Sequence, residues 1–187
     1  KGHELGLEIH ASLNVFCAGH NYFDRGMVYS GHPEWASMVY TPDKGIIPIT
    51  EEKHKYGAMI NPLNEEYRTH ILNVLKEVVS KYPDLDGLML DRVRYDGITA
   101  DSLSREKFEE YIGKKVANFP EDIFRWTKNA DGKYITQLGK YFRKWLEWRT
   151  KNITDFMALA RKEVKAANPD VSFGTYTGAW YPSYYEV

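Results

Sequence analysis

Asp91 ends the apolar run LDGLMLD (85–91), and Arg92, Arg94 and Asp96 follow within five residues. A carboxylate at the end of a strand is suited to attacking an anomeric carbon or to stabilising an oxocarbenium-like transition state. An arginine beside it would hold it ionised and fix its orientation. The same residues, read from spacing alone, serve equally as an Asp–Arg pair that ties down a loop. His10 and Asn14 alternate onto one face of the opening segment, at what reads as its mouth end, and both can hydrogen-bond sugar hydroxyls or orient a carboxylate. A lone histidine on a strand is more often a satisfied interior residue. Asn61, at the end of GAMINP (57–62), has the same two readings.

Tyr176, Trp180, Tyr181, Tyr184 and Tyr185 crowd the C-terminal stretch, either as a stacking platform for sugar rings or as core. Trp145 and Trp148 stand at helical spacing and read as packing. The sequence has no phosphate-cradling glycine loop, no His-Glu-x-x-His pair and no Gly-x-Ser-x-Gly elbow. His3, His20, His32, His54 and His70 lack ligand-like spacing, so neither a metal nor another cofactor is expected.

The elements that must position these residues follow from periodicity. The segment 5–16, LGLEIHASLNVF, alternates Leu7, Ile9, Ala11 and Leu13 with Glu8, His10, Ser12 and Asn14, which predicts a strand. Residues 1–4 read as the tail of a helix. Residues 18–56 carry seven Gly or Pro residues without a sustained period and read as a long excursion, ordered by Tyr22, Phe23, Tyr29, Trp35 and Tyr40. A short strand at 57–62 precedes a helix capped by Asn64 and running to about Lys81, with Glu65 and Glu66 in its first turn. Its apolar stripe reads Tyr67, Ile71, Leu75, Val78 and Tyr82. Then come a strand at 85–91, a short helix near 104–112, an outer lobe at 114–134 and a helical pattern over 137–167. A single helix of that length exceeds ~45 Å, so a break is expected near 148–152. Asn168-Pro169 stops it, and a last strand spans 171–176.

Strand, helix, strand, long helix, strand is an α/β order that implies parallel strands. About three such units fit in 187 residues, whereas a (β/α)₈ TIM barrel needs eight and ~250 residues. The expected fold is therefore a portion of a TIM barrel with inserted loops, and the expected domain is a single unit over 1–187, a central fragment of a catalytic barrel. The chain starts at Lys1 rather than Met, which fits a piece of a longer protein. A net charge of −1 offers no basic surplus for nucleic acid, and no apolar run reaches the ~20 residues of a membrane span. Cys17 is the lone cysteine, so no internal disulfide can form.

Five stretches, in order, resemble the glycosyl hydrolase-like 10 family: GLEIHASLN (6–14), NPLNEEYRTHIL (61–72), DLDGLMLDRVRY (84–95), WRTKNI (148–153) and NPDVSFG (168–174). The resemblance implies a (β/α)-barrel hydrolase in which this chain supplies roughly strands three to five and Asp91 ends the fourth. It implies His10, Asn14, Asn61 and Arg94 as lining residues, a carbohydrate substrate and a secreted, periplasmic or cell-surface protein. The chain departs from the pattern at Arg92, where the family has a second acid, and at Ser12 and Val15, where it has Trp and Pro. The expected function is a glycoside hydrolase acting on a polysaccharide or glycan, its general acid being Asp96, Asp101, Glu186 or a residue on another strand. The alternative is a barrel that binds carbohydrate without cleaving it.

Overall fold

The computed structural model describes residues 1–95, 97 and 99–177. Ten strands run in chain order: β1 His10–Asn14, β2 Cys17–His20, β3 Arg25–Gly26, β4 Met38–Thr41, β5 Gly45–Pro48, β6 Gly57–Met59, β7 Gly87–Asp91, β8 Phe124–Lys128, β9 Tyr134–Leu138 and β10 Ser172–Thr175. Four α-helices accompany them: α1 Met27–Ser30, α2 Glu65–Lys81, α3 Ser102–Ile112 and α4 Phe142–Ala167.

The centre is a parallel sheet in the order β1-β7-β10, with His10 and Ser172 both opposite Gly87 and Asn14 opposite Asp91. Parallel neighbours need long crossovers, and these carry α2 between β1 and β7 and α4 between β7 and β10. The side chains of a strand alternate between faces, so Leu88 and Leu90 share one face and both are fully buried. They form one core with Ile71, Leu75 and Val79 of α2 and Phe156, Ala160 and Val164 of α4. The other face carries His10, Ser12, Asn14, Met89 and Asp91, all at least partly exposed. Among the described residues the parallel sheet has three strands and does not close into a barrel. It is a mixed α/β fold whose sheet has one helix-covered face and one open polar face.

Gly87 marks how closely the open face is packed. A Cβ there would lie 2.0 Å from Nδ1 of His10, so the imidazole rests directly on its backbone.

Several sequence expectations need correction. The first strand begins at His10, not near Leu5, because Gly6 in a left-handed conformation (φ 72°) closes a 3₁₀ turn over His3–Leu5. That turn is fastened by Asp86, whose carboxylate accepts from Ile9 N at 2.6 Å and contacts His3 Nε2 at 2.7 Å. Leu7 and Ile9 accordingly remain exposed. His3 and Glu4 thus lie in this turn, with Gly2 as its N-cap. Of the segment at 57–62, Gly57–Met59 forms β6, which pairs antiparallel with β2 and so lies outside the parallel sheet.

The excursion is ordered, as its aromatics suggested, and it contains the β4–β5 hairpin and supplies β3 and most of β2 to the small β3-β2-β6 sheet. Buried Asn21 pins it by donating to the carbonyls of Ile49 (3.0 Å) and Lys55 (2.8 Å) and accepting from Tyr29 Oη (2.7 Å). Asn64 caps α2 as expected, its side chain accepting from Tyr67 N at 2.9 Å. The buried stripe ends on Val79 rather than on Val78 and Tyr82, since Tyr82 is already the C-cap and lies exposed.

The lobe around 114–141 has a core of its own, formed by Phe108, Val116, Ile123, Trp145 and Trp148. Within it β8 and β9 pair as a hairpin closed at Asn129, whose side chain accepts from the amides of Asp131 (3.0 Å) and Lys133 (2.9 Å). The expected break in the long helix is absent. α4 runs unbroken for 26 residues, ~39 Å, because 137–138 belong to β9 and because its two halves serve two cores. Trp145 and Trp148 do pack, in the lobe.

Candidate active site

β7 is the middle strand, and its last residue, Asp91, emerges at the carboxyl edge of the sheet. The register places Asn14 directly beside it. Its backbone is held on both sides: Val15 N donates to Asp91 O at 2.8 Å, and Tyr176 N donates to the preceding Leu90 O at 3.0 Å. The Thr175 hydroxyl adds a second donor to Leu90 O at 2.9 Å. Asp91 is half-buried, and its Oδ1 accepts from the Arg92 amide at 2.7 Å.

That short local bond goes with a left-handed Arg92 (φ 55°), an uncommon conformation for a residue with a Cβ. Its guanidinium lies 4.4 Å above the ring centre of Tyr56, against the excursion. The expected pairing of an arginine side chain with the Asp91 carboxylate is corrected here: Arg92 supplies its backbone amide to Asp91 and its side chain to Tyr56. Arg94 is exposed and makes no hydrogen bond or ion pair among the described residues.

The loop leaving β7 is anchored from α4. Arg149 places its guanidinium 4.2 Å over the ring of Tyr95 and donates to Gly97 O at 2.7 Å, while Asn152 donates to Tyr95 Oη at 3.1 Å. Burial pushes the Tyr95 hydroxyl above its ordinary pKa, so it stays protonated. Arg149 and Asn152 belong to the WRTKNI stretch. The sequence marked that stretch by resemblance without giving these residues a task, because nothing local links 149–152 to 95–97.

The structure brings Asn14, Asp91, Arg94 and Tyr176 to the carboxyl edge; Tyr176 is 60% exposed. His10 shares their sheet face but starts its strand, about 13 Å along from Asn14 at ~3.3 Å per residue, and contacts Glu8 at 3.1 Å. Its expected place at the mouth end is therefore corrected. Asn61 is buried, with Nδ2 donating to Asp101 Oδ2 (2.7 Å) and Ser104 Oγ (3.3 Å) and Oδ1 accepting from Leu63 N (3.0 Å). Those bonds spend its polar atoms on fastening α3, so the expectation that Asn61 meets a substrate is corrected too. Asp101 caps α3 through Ser104 N (2.6 Å) with its other oxygen on Asn61, which commits both oxygens to structure. Trp180, Asp96 and Glu186 lie outside the described residues.

Sequence reasoning missed one group beside this edge. Tyr22, Phe23 and Tyr56 are exposed and surround His20, and Tyr56 carries Arg92 on its face. The aromatics of the excursion were legible as a source of order, but their convergence on the residue after Asp91 depends on β2 pairing with β6. Among the described residues His32, Glu34 and Glu66 also bring possible ligand atoms within 4.8 Å of one another, at the surface.

A solved beta-galactosidase from Bacillus circulans sp. alkalophilus is similar in fold, with a TM-score of 0.54 at 13% identity, over 83% of this chain and 25% of that one. An S-layer-related protein of Niallia circulans is 36% identical over 194 residues; the match takes in 97% of this chain and 12% of that protein's length. The chain thus spans a small part of each. The family described as Glycosyl hydrolase-like 10 matches residues 1–186, nearly the whole chain and all five stretches that carried the resemblance. By that match, the chain belongs to the glycosyl hydrolase-like 10 family.

Proposed function

We propose that this chain is part of a glycoside hydrolase that acts on a polysaccharide or glycan, with Asp91 as its nucleophile or as stabiliser of an oxocarbenium-like transition state. The observation that carries the reading is the position of Asp91 at the carboxyl end of the central parallel strand, on the open polar face, where barrel enzymes keep their catalytic groups. In this reading β1, β7 and β10 are strands three to five of an eight-stranded barrel, and 1–187 is one piece of a single catalytic domain. The polar face of the sheet then looks into the barrel.

Asn14 and Tyr176 flank the reacting carbon in this arrangement, and Arg94 reaches it from the loop. A second carboxyl completes the chemistry, about 5–5.5 Å from Asp91 for retention or about 6.5–9.5 Å for inversion. Asp101 is excluded from that role by its two structural bonds, which leaves Asp96, Glu186 or a residue on another strand. The name of the Niallia relative supports an exported, cell-surface setting for the glycan.

Asp91→Asn in the full-length protein keeps the side chain's size and its oxygen acceptor but removes the charge. Reducing-sugar release should fall on the order of 10⁴-fold while glycan binding persists. Unchanged turnover removes the assignment. Binding without turnover in the wild type selects the second reading, a non-catalytic carbohydrate-binding barrel. That reading draws its support from Arg92, which stands where the family has an acid.

A further inference from the structure

A pocket of about 390 Å³ lies between the β4–β5 and β8–β9 hairpins, both outside the parallel sheet, and it borders Gly97 in the loop after β7. One wall is aromatic. Tyr40 meets Phe124 edge-to-face at 5.4 Å, and Phe124 meets Trp126 in the same way at 5.5 Å. The indole of Trp126 is fixed because Nε1 donates to Tyr40 O at 3.2 Å. With its only donor spent, the indole contributes ring surface to the lining.

The lining also includes Glu52, His54 and Thr136. Glu52 is nearly buried, its two oxygens on Lys44 Nζ (3.2 Å) and His54 Nδ1 (3.0 Å). A wholly apolar occupant would strip water from these polar groups without replacing it, whereas a neutral polar one adds no charge to a lining where Lys44 balances Glu52 and Lys55 also stands. A neutral ring with C–H groups on one face and hydroxyls around its edge suits both sides, since the face lies on aromatic surface and the hydroxyls meet the His54 and Thr136 side chains.

We propose that this pocket is an accessory glycan-binding site that takes one neutral pyranose unit of a polysaccharide chain. The choice of a sugar among neutral ligands rests on the carbohydrate reading of Asp91 and the family. Most of the lining stands in the two hairpins, outside the parallel sheet that carries Asp91, so the site binds independently of the chemistry there.

The test is calorimetric titration of the full-length protein with xylopentaose, cellopentaose, β-1,4-galactopentaose and chitopentaose. At least one should bind, Trp126→Ala should weaken that binding about tenfold, and Trp126→Phe should retain it within about threefold, because the aromatic face survives. Equal binding by wild type and Trp126→Ala overturns the site, as does binding of none of the four. Equal losses in the Ala and Phe variants also overturn it, because they trace the effect to the hydrogen bond joining the hairpins. Hydrolysis that survives Asp91→Asn while binding still depends on Trp126 overturns the catalytic assignment alone.

Discussion

α4 divides its length between two cores that differ in kind. Its C-terminal half lays Phe156, Ala160 and Val164 against a parallel sheet whose strands lie about 75–85 residues apart in sequence, whereas its N-terminal half lays Trp145 and Trp148 into a lobe assembled from 104–142. The sheet core is made almost wholly of long-range contacts and covers one face of an open sheet. The lobe is local and aromatic, closed by the ring contacts of Phe108, Trp145 and Trp148 at 4.8–5.5 Å. Between the halves, Arg149 and Asn152 face neither core and instead hold the loop that leaves Asp91. One stiff helix thus sets the lobe, the loop and the sheet in a common frame.

The largest effect is expected from emptying either core. Phe156→Ala should cost about 3–5 kcal/mol and lower the whole denaturation curve, since Phe156 touches Phe16 and packs beneath the sheet. Trp145→Ala removes a larger side chain and costs about as much, but amide exchange should quicken in 102–141 while β7 keeps its protection. Loss of β7 protection in Trp145→Ala would show that the two cores open as one.

A middle-sized effect belongs to the junction. Arg149→Leu removes the contact with Tyr95 and the bond to Gly97, and should cost about 1–2 kcal/mol. Exchange should rise around Tyr95 with both cores unchanged, and a uniform rise would refute the separate role of this stretch.

The smallest effect is on pH. Glu109 accepts from Lys115 Nζ, the Val116 amide and Arg105, which together hold its carboxyl down to about 2. A depressed folded pKa stabilises the lobe fully above the ordinary value of 4.5 and is lost as pH falls toward about 2. Exchange within 102–118 should therefore quicken across that window and become insensitive to it in Glu109→Gln. In the sheet body, Asp86 is lowered by the Ile9 amide and His3, so its acid response should appear near β1 instead.

What could be read before folding was whatever local chemistry enforces. The N-cap at Asn64, the helix stripe beginning at Tyr67 and the strand ending at Asp91 each follow from neighbours within a few residues. The limits of those elements were less legible. The first strand shortened because Gly6 and Asp86 build a turn before it, and the second half of the helix stripe shifted by one residue where the chain leaves the core.

The candidate site divides in the same way. Asp91 is placed by its own strand, and Asn14 by the parity of an alternating segment, so both were visible in the sequence. Asn61 was not: a polar residue after a short strand looks open until α3 is seen to take its amide. Arg92 looked like a partner for Asp91 until Tyr56, 36 residues earlier, proved to hold its guanidinium.

The sequence by itself determined the alternation of strand and helix and the carboxylate at the end of a strand, which rest on period, spacing and residue type, and the family, which rests on the order of five resembling stretches. Only the tertiary structure decided which polar side chains stay open. A donor is spent or free according to what a distant segment brings within about 3 Å, and that depends on how β2, β6, α3 and α4 are laid against the sheet.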